Sequence, residues 1–571
     1  MPAHHTKIHL AAAEAVAAKA GLAATDLKVE APPRAELGDL AVGCFAIAKA
    51  RGRNPAELAK ELAEGFAPTE LIAKATAAGP FVNLELDRPA TYRWLVDATL
   101  RRSLIPNAIG TNQTITIDYG SPNISKHLAY HHIRGTSIGR ALVNIYRALG
   151  FQVVGINFLG DWGTTHGMVI AAYEKWGADE PLDVTKLNDL YTRFRAAMKE
   201  NPALEQEGRE AFKRLEDGDP ATRALWQRFR DISWAEFDEV YKLLGVSYEA
   251  IRGESTFEPD MAGVFEELKG LITESEGAQV VELEGEKTPI LMKTKDGTTL
   301  YATRDYAAAK QRWADYHFAR SLYVVDRGQA THFRQLFKLL VKAGHTWATR
   351  CEHVPYGIIK VAGKRSATRL GGVVLMRDVF KIAEEDVREV IAKANPDLPT
   401  EVVDDVAPKI GIGAVVFANL ATQRDKDIDF DLEKAVSLEG DSGPYIQMAH
   451  ARCASIARKA GVTIAASDLS DVDFSRLTHS AEWAVAKKLL ELPDIVVRAA
   501  DNSEPHGVAH YLLALAGDYS RWYTLGNGDP SLRVLCDDPA TRRARLALVA
   551  AVQAALATGL GLLGIAAPEQ M

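Results

Sequence analysis

Between Thr114 and His132 the chain gathers a lysine and three histidines into one loop, where a phosphate-bearing substrate could be held. The run Thr114–Asp118 alternates apolar Ile115 and Ile117 with polar neighbours, which predicts a β-strand. Gly120-Ser121-Pro122-Asn123 is turn chemistry and ends it. A polar loop follows with Lys126, His127, His131 and His132. Next, Ile138, Leu142, Ile145 and Leu149, at steps of four, three and four, predict a helix. Gly150 stands where a helix-terminating glycine belongs, and Phe151–Phe158 reads as a buried strand. The basic and imidazole groups thus sit at the carboxyl end of the first strand of a strand–loop–helix–strand unit. Ligands of open α/β sheets bind at that end, and donors beside a helix start suit phosphate.

The same stretch resembles class I aminoacyl-tRNA synthetases, and among them the arginyl-tRNA synthetases. That family's pattern is acidic-x-x-Ser-Pro-Asn-x-x-Lys, a His-x-Gly-His signature, a helix, and a strand ending Gly-Asp-Trp-Gly-Thr. Asp118, Ser121, Pro122, Asn123, Lys126, His132, Arg134 and Gly160-Asp161-Trp162-Gly163-Thr164 match it in order.

The resemblance implies an arginine–tRNA ligase. Such an enzyme activates L-arginine with ATP and Mg²⁺, releases pyrophosphate, and passes the arginyl group to the terminal ribose of tRNA(Arg). Activation needs positioning and positive charge around the phosphate oxygens. The catalytic groups implied are Lys126, His131 and His132, with Lys364, Arg365 and Arg369 in a Gly-rich loop. ATP binding falls on Lys126, His131, His132, Gly357 and Lys364. The substrate's guanidinium is a planar cation with five donors, so its pocket needs carboxylates and a hydroxyl. The resemblance puts Glu254, Tyr301 and Asp305 there. It puts Asp118, Ser121, Asn123 and Gln329 at the α-amino and carboxylate groups. If a helix begins at Tyr301, Tyr301 and Asp305 share its face.

The chain departs from the family pattern twice. Ala129-Tyr130-His131-His132 replaces His-x-Gly-His, keeping only the last histidine in register. The missing glycine removes the space that lets adenine approach the backbone. His131 puts an imidazole there, read here as stacking on or donating to the nucleotide. Where Lys-Met-Ser-Lys-Ser is usual, the chain has Arg365-Ser366-Ala367-Thr368-Arg369. Many arginyl enzymes lack the second lysine of that motif, and Lys126 is the residue implied to compensate. The altered first signature admits an alternative, a non-catalytic paralogue that binds tRNA or arginine. A ligase for another amino acid is a third reading, and requires Glu254 and Asp305 to serve a different substrate.

Composition agrees with a multidomain soluble protein: 571 residues, 47% hydrophobic and 25% charged. A net charge of −8 argues against a generic cationic nucleic-acid coat, though not against local basic patches. Cys44, Cys351, Cys453 and Cys536 are far apart and form no CxxC pair, so neither disulfides nor a zinc site are expected. The start lacks a signal-peptide apolar core. Leu546 to Pro568 has no charge and is long enough to span a bilayer, but it is Ala- and Gly-rich and reads as a buried terminal helix. A cytoplasmic monomer with no membrane attachment is expected.

The expected architecture is α/β: a Rossmann-like core split by a mainly helical insertion. A small α+β module precedes it and an all-α anticodon-binding domain follows. The divisions are 1–105 for the N-terminal tRNA-binding module, 106–165 and 300–380 for the core, and 166–299 for the insertion. A connecting segment covers 381–452 and the anticodon domain 453–571. Strands are predicted over 79–86, 321–325 and 353–361, and a helix over 330–343. In the helical C-terminal region, aromatics and arginines suit splayed-out bases; Arg452, Trp522, Tyr523 and Met571 are the tRNA contacts expected.

Overall fold

A computed structural model describes residues 6–177, 181–293, 301–361 and 374–571. Its centre is a five-stranded parallel sheet. In space the strands run Cys351–Tyr356, Arg320–Asp326, Thr114–Tyr119, Gln152–Leu159 and Ala250–Gly253. From Thr114–Tyr119 the chain builds outward to one side, then returns to build the other. The reversal point lies between Thr114–Tyr119 and Arg320–Asp326, where such sheets open a crevice at their carboxyl ends.

Counting the five strands in chain order, both faces of the first, Thr114–Tyr119, are covered, so its polar alternate is buried too. The Thr116 hydroxyl donates to Ser321 Oγ on the adjacent strand at 2.8 Å. The helix Ile133–Ala148 packs on this sheet because Gly139 leaves room for Tyr119, whose ring lies 2.2 Å from where a Cβ would stand. Gly150, at φ +86°, turns the chain out of that helix into the second strand.

Four expectations are corrected. Residues 353–361 form two strands, not one. Gly357 donates its N–H to the Arg424 carbonyl at 2.7 Å and packs on the Lys426 carbonyl, which leaves no space for a side chain. The chain turns there, and Ile359–Val361 pairs with Ile428–Phe430 away from the core sheet. The edge strand Ala250–Gly253 of the core comes from residues assigned to the insertion. The N-terminal module holds a four-stranded antiparallel sheet where one strand was expected. Its Ile72–Ala78 strand, IAKATAA, is too alanine-rich to show alternation. Finally, the division at 452/453 falls inside the continuous helix Gly443–Ala460.

The helix Pro539–Leu562 is long and apolar enough to cross a membrane by length and composition, but 67% of its apolar window is buried within the fold. The four cysteines are unpaired. Trp483 donates its indole N–H to Asp39 at 3.1 Å and so joins the C-terminal helices to the N-terminal module.

Arg134, wholly buried, ties the core to the segment after the helix Thr400–Leu420. It donates to the carbonyls of Asn419, Gln423, Arg424 and Lys426. Burial pulls its pKa down to about 10, which still leaves it charged at neutral pH. Arg134→Met removes the donor and strands those carbonyls, and is expected to destabilise the fold by ~3–5 kcal/mol. Urea unfolding checks this; a loss below about 1 kcal/mol would refute the role.

Candidate active site

The five strands are parallel, so their carboxyl ends lie along one edge of the sheet. The first ends at Asp118, which is buried. One carboxylate oxygen accepts from Ser121 Oγ at 2.8 Å, the other from Arg312 at 2.5 Å. Ser121 Oγ in turn accepts from the Phe158 N–H at 3.0 Å, so the turn is pinned to the second strand. Asp118 therefore anchors the loop from beneath. Each oxygen has one partner and can accept a second, so these bonds do not exclude the contact with the α-amino group expected of Asp118. Ser121 and Asn123 are exposed at the surface of the turn. Asn123 bridges to Gly160, where a Cβ would stand 1.9 Å from the Asn123 amide oxygen.

Lys126 lies over the Tyr191 ring at 4.9 Å, on the insertion helix Val184–Glu200. His127 pairs with Glu236 at 2.7 Å and is occupied structurally. His131 is exposed and its ring lies 4.1 Å from that of His132. Partial desolvation of the ring, exposed at its outer edge, pulls the pKa of His131 down, against the pull of Asp326 at the end of the fourth strand. His132 is pulled down further, to about 4, by burial and by the neighbouring His131 and Lys126. At neutral pH it is a neutral imidazole. Its Nδ1 meets the Ala129 carbonyl at 3.0 Å, so that nitrogen carries the proton and Nε2 is left as an acceptor.

The third strand runs into Glu254, only 7% exposed. Glu254 accepts from Arg304 Nε at 2.7 Å. Burial pushes its carboxyl up to about 7, against the pull of Arg304 and aided by Asp305. The Glu254 turn is held by Asp161, fully buried, whose oxygens accept from the Ser255 N–H at 2.9 Å, the Ser255 hydroxyl at 2.8 Å and Arg230 at 3.1 Å. Tyr301 and Asp305 open the helix Tyr301–Tyr316, as the spacing predicts. Tyr301 is 62% exposed, with the Arg304 guanidinium 5.5 Å from its ring, and Asp305 bonds His332 at 2.6 Å. The arrangement is one carboxylate pair, Glu254 and Asp305, each already facing a nitrogen group of the chain.

Gln329 is exposed just after the fourth strand and donates to Asp326 at 2.9 Å. Gly357 is buried at the end of the fifth and serves the close packing described above. Lys364, Arg365 and Arg369 lie outside the described residues. The chain beyond them returns to the first signature: Tyr130 donates its N–H to the Val374 carbonyl at 2.8 Å, and Met376 to that of Leu128 at 3.0 Å. The sequence reading missed Arg304, Arg312, His332 and Tyr191. Arg304 and His332 carried a signal, the first standing between Tyr301 and Asp305 and the second three residues after Gln329; Arg312 and Tyr191 have no site residue close by in the sequence.

Comparison with known proteins decides the family. The model for "tRNA synthetases class I (R), catalytic domain" matches residues 95–432. The arginyl tRNA synthetase N-terminal domain matches 5–86, and the DALR anticodon binding domain matches 446–571. The chain belongs to the arginyl-tRNA synthetase family. Arginine–tRNA ligases of an Exiguobacterium species and of Streptococcus pneumoniae are 42% and 40% identical to it, each match covering 95% of both chains. The arginyl-tRNA synthetase structure of Thermus thermophilus superposes with a TM-score of 0.80 at 27% identity, over 98% of this chain and 99% of that one. The Plasmodium falciparum structure, at 22% identity, shares the fold with a TM-score of 0.77, covering 96% and 95%.

In this arginyl-tRNA synthetase the C-terminal residues expected to meet tRNA divide into two sets. Arg452, Tyr523 and Met571 line one groove of about 320 Å³. The Arg452 guanidinium lies 4.9 Å from the Tyr523 ring. The tail is strapped there by Gln447 to the Ala566 carbonyl at 2.8 Å, His450 to that of Pro568 at 2.9 Å and Arg458 to that of Glu569 at 3.2 Å. Trp522 is fully buried and offers no face to a base, which corrects its place in the set. Adjacent helical residues point about 100° apart, so Tyr523 reaches the groove while Trp522 fills the core.

Proposed function

We infer that the chain is an arginine–tRNA ligase whose altered first signature is catalytically competent. The observation that carries this is the convergence of two chemistries on one sheet edge. Lys126, His131 and His132 follow the first strand, and the Glu254 and Asp305 carboxylates stand beyond the third strand and at the head of the Tyr301–Tyr316 helix. The first set suits triphosphate and the second a guanidinium. Ser121, Asn123 and Gln329, exposed on the same edge, would orient the α-amino and carboxylate groups of arginine. Arg452, Tyr523 and the Met571 terminus would meet the anticodon stem-loop of tRNA(Arg). Mg²⁺ would arrive on the ATP phosphates and share in neutralising them. We place the enzyme in the cytoplasm as a monomer.

The test is pyrophosphate exchange with arginine and ATP, run with and without tRNA(Arg), followed by charging. Arginine-dependent exchange and arginyl-tRNA formation support the reading. Tight tRNA binding with neither reaction, beside a working control enzyme, would leave the non-charging paralogue. Comparing His131→Ala with His132→Ala assigns the signature: at least a tenfold rise in the ATP KM of the first is expected, and unchanged ATP binding and turnover would refute a nucleotide role for His131.

A further inference from the structure

The carboxylates given to the arginine pocket do not stand alone. Glu254 is matched by Arg304, a cation at every working pH. Asp305 is matched by His332, whose Nε2 lies 2.6 Å from its carboxylate. With Glu254 ionised and His332 protonated, the four groups sum to zero charge. With His332 neutral they sum to −1, the charge a guanidinium needs.

We propose that His332 is a positioning residue for arginine recognition: it holds one oxygen of Asp305, and its second proton competes with the substrate guanidinium for that carboxylate. The inference rests on the assignment of Asp305 to the arginine pocket. His332 stands on the helix Ala330–Lys342, which packs against the Tyr301–Tyr316 helix that carries Asp305. The pair is mostly buried, with side chains 24% and 20% exposed, so water screens it little. Burial disfavours the imidazolium, but Asp305 outweighs burial and raises the pKa of His332 above its ordinary value.

Among the described residues, the other charged groups on the elements packed around this helix are turned to different partners. Arg327 bonds Asp427, Asp326 accepts from Gln329, Glu352 pairs with Arg320, His353 meets the Val325 carbonyl and Arg350 that of Phe318. On the Tyr301–Tyr316 helix Lys310 pairs with Glu267, Asp315 with Arg252, and Arg312, which also acts on Asp305, with Asp118. On the helix itself, Arg334 and Lys338 both bond Glu286. Asp305 is the charge that governs His332. A guanidinium placed on Asp305 lowers the pKa of His332, so arginine binding expels a proton and weakens as pH falls.

The test measures the KM for arginine in tRNA charging, at saturating ATP and tRNA, from pH 6 to pH 8. The proteins are the wild type, His332→Gln and Asp305→Asn. Gln keeps an N–H for Asp305 but cannot titrate. At pH 8 the His332→Gln KM is expected within about threefold of wild type. On lowering the pH to 6, the wild-type KM is expected to rise relative to His332→Gln by more than about threefold, with kcat moving alike in both. Glu254 titrates in both proteins, and the ratio removes the part of its effect that does not depend on His332. A ratio independent of pH overturns the proposal. Asp305→Asn separates the two levels. If it raises the arginine KM about tenfold or more while the ratio stays flat, the pocket stands and the role of His332 falls. If it leaves the arginine KM unchanged, the pocket assignment falls and takes the proposal with it.

Discussion

Lys126→Ala is expected to lower arginine-dependent pyrophosphate exchange by about 10²–10³-fold, with the KM for arginine nearly unchanged. Negative charge on the α-phosphate and the departing pyrophosphate grows in the transition state, and fixed cations lower its energy most where water is excluded. Lys126 is placed for this. Its ammonium rests on the Tyr191 ring rather than in a salt bridge with any described carboxylate, so a phosphate does not have to displace an ionic partner. His132 is neutral at working pH and contributes no net charge. The second signature lacks its usual second lysine, with Thr368 in that position. Lys364→Ala is expected to be milder, at about tenfold. Pyrophosphate exchange at saturating ATP decides the matter: equal, small losses in the two variants would remove Lys126 from its role.

Glu254→Gln is expected to reduce kcat/KM for arginine by about 10³-fold, equivalent to ~4 kcal/mol. The change is isosteric, so the loss is electrostatic. Glu254 is buried and is the partner of Arg304. Removing its charge leaves the positive charge of Arg304 less compensated in a pocket that must admit a second guanidinium. Breaking a buried pair costs about 3–5 kcal/mol, and here the repulsion falls on the substrate. The KM for ATP is expected to stay within about threefold. An arginine titration that shows less than a tenfold loss in kcat/KM would refute the assignment. Stability is the control, since Asp161 holds the Glu254 turn independently through Ser255.

The elements of the core were largely legible in the sequence. The strand Thr114–Tyr119, the helix Ile133–Ala148 and the strand Gln152–Leu159 stand within a few residues of the expected spans. Their apolar periodicity is strong and Gly150 marks the boundary. The break at Gly357 was not legible, because its cause is a carbonyl at Lys426, far along the chain. The same distance hid the partners of the site residues. Asp118 reads as a free acid until Arg312 comes against it, Asp305 until His332 does, and Trp522 as an exposed aromatic until the bundle closes over it.

What the sequence by itself determined was the family and the inventory of groups: a lysine–histidine loop after a strand, carboxylates for a guanidinium, and an apolar terminal helix. Periodicity and ordered motifs are local properties, and a linear reading captures them. What only the tertiary structure decided was which charges remain available. Asp118 is neutralised from beneath, Glu254 and Asp305 stand against an internal guanidinium and an imidazole, and Lys126 is held on an aromatic face. Those pairings join segments tens to hundreds of residues apart, and electrostatic interaction follows distance in space rather than position in the chain.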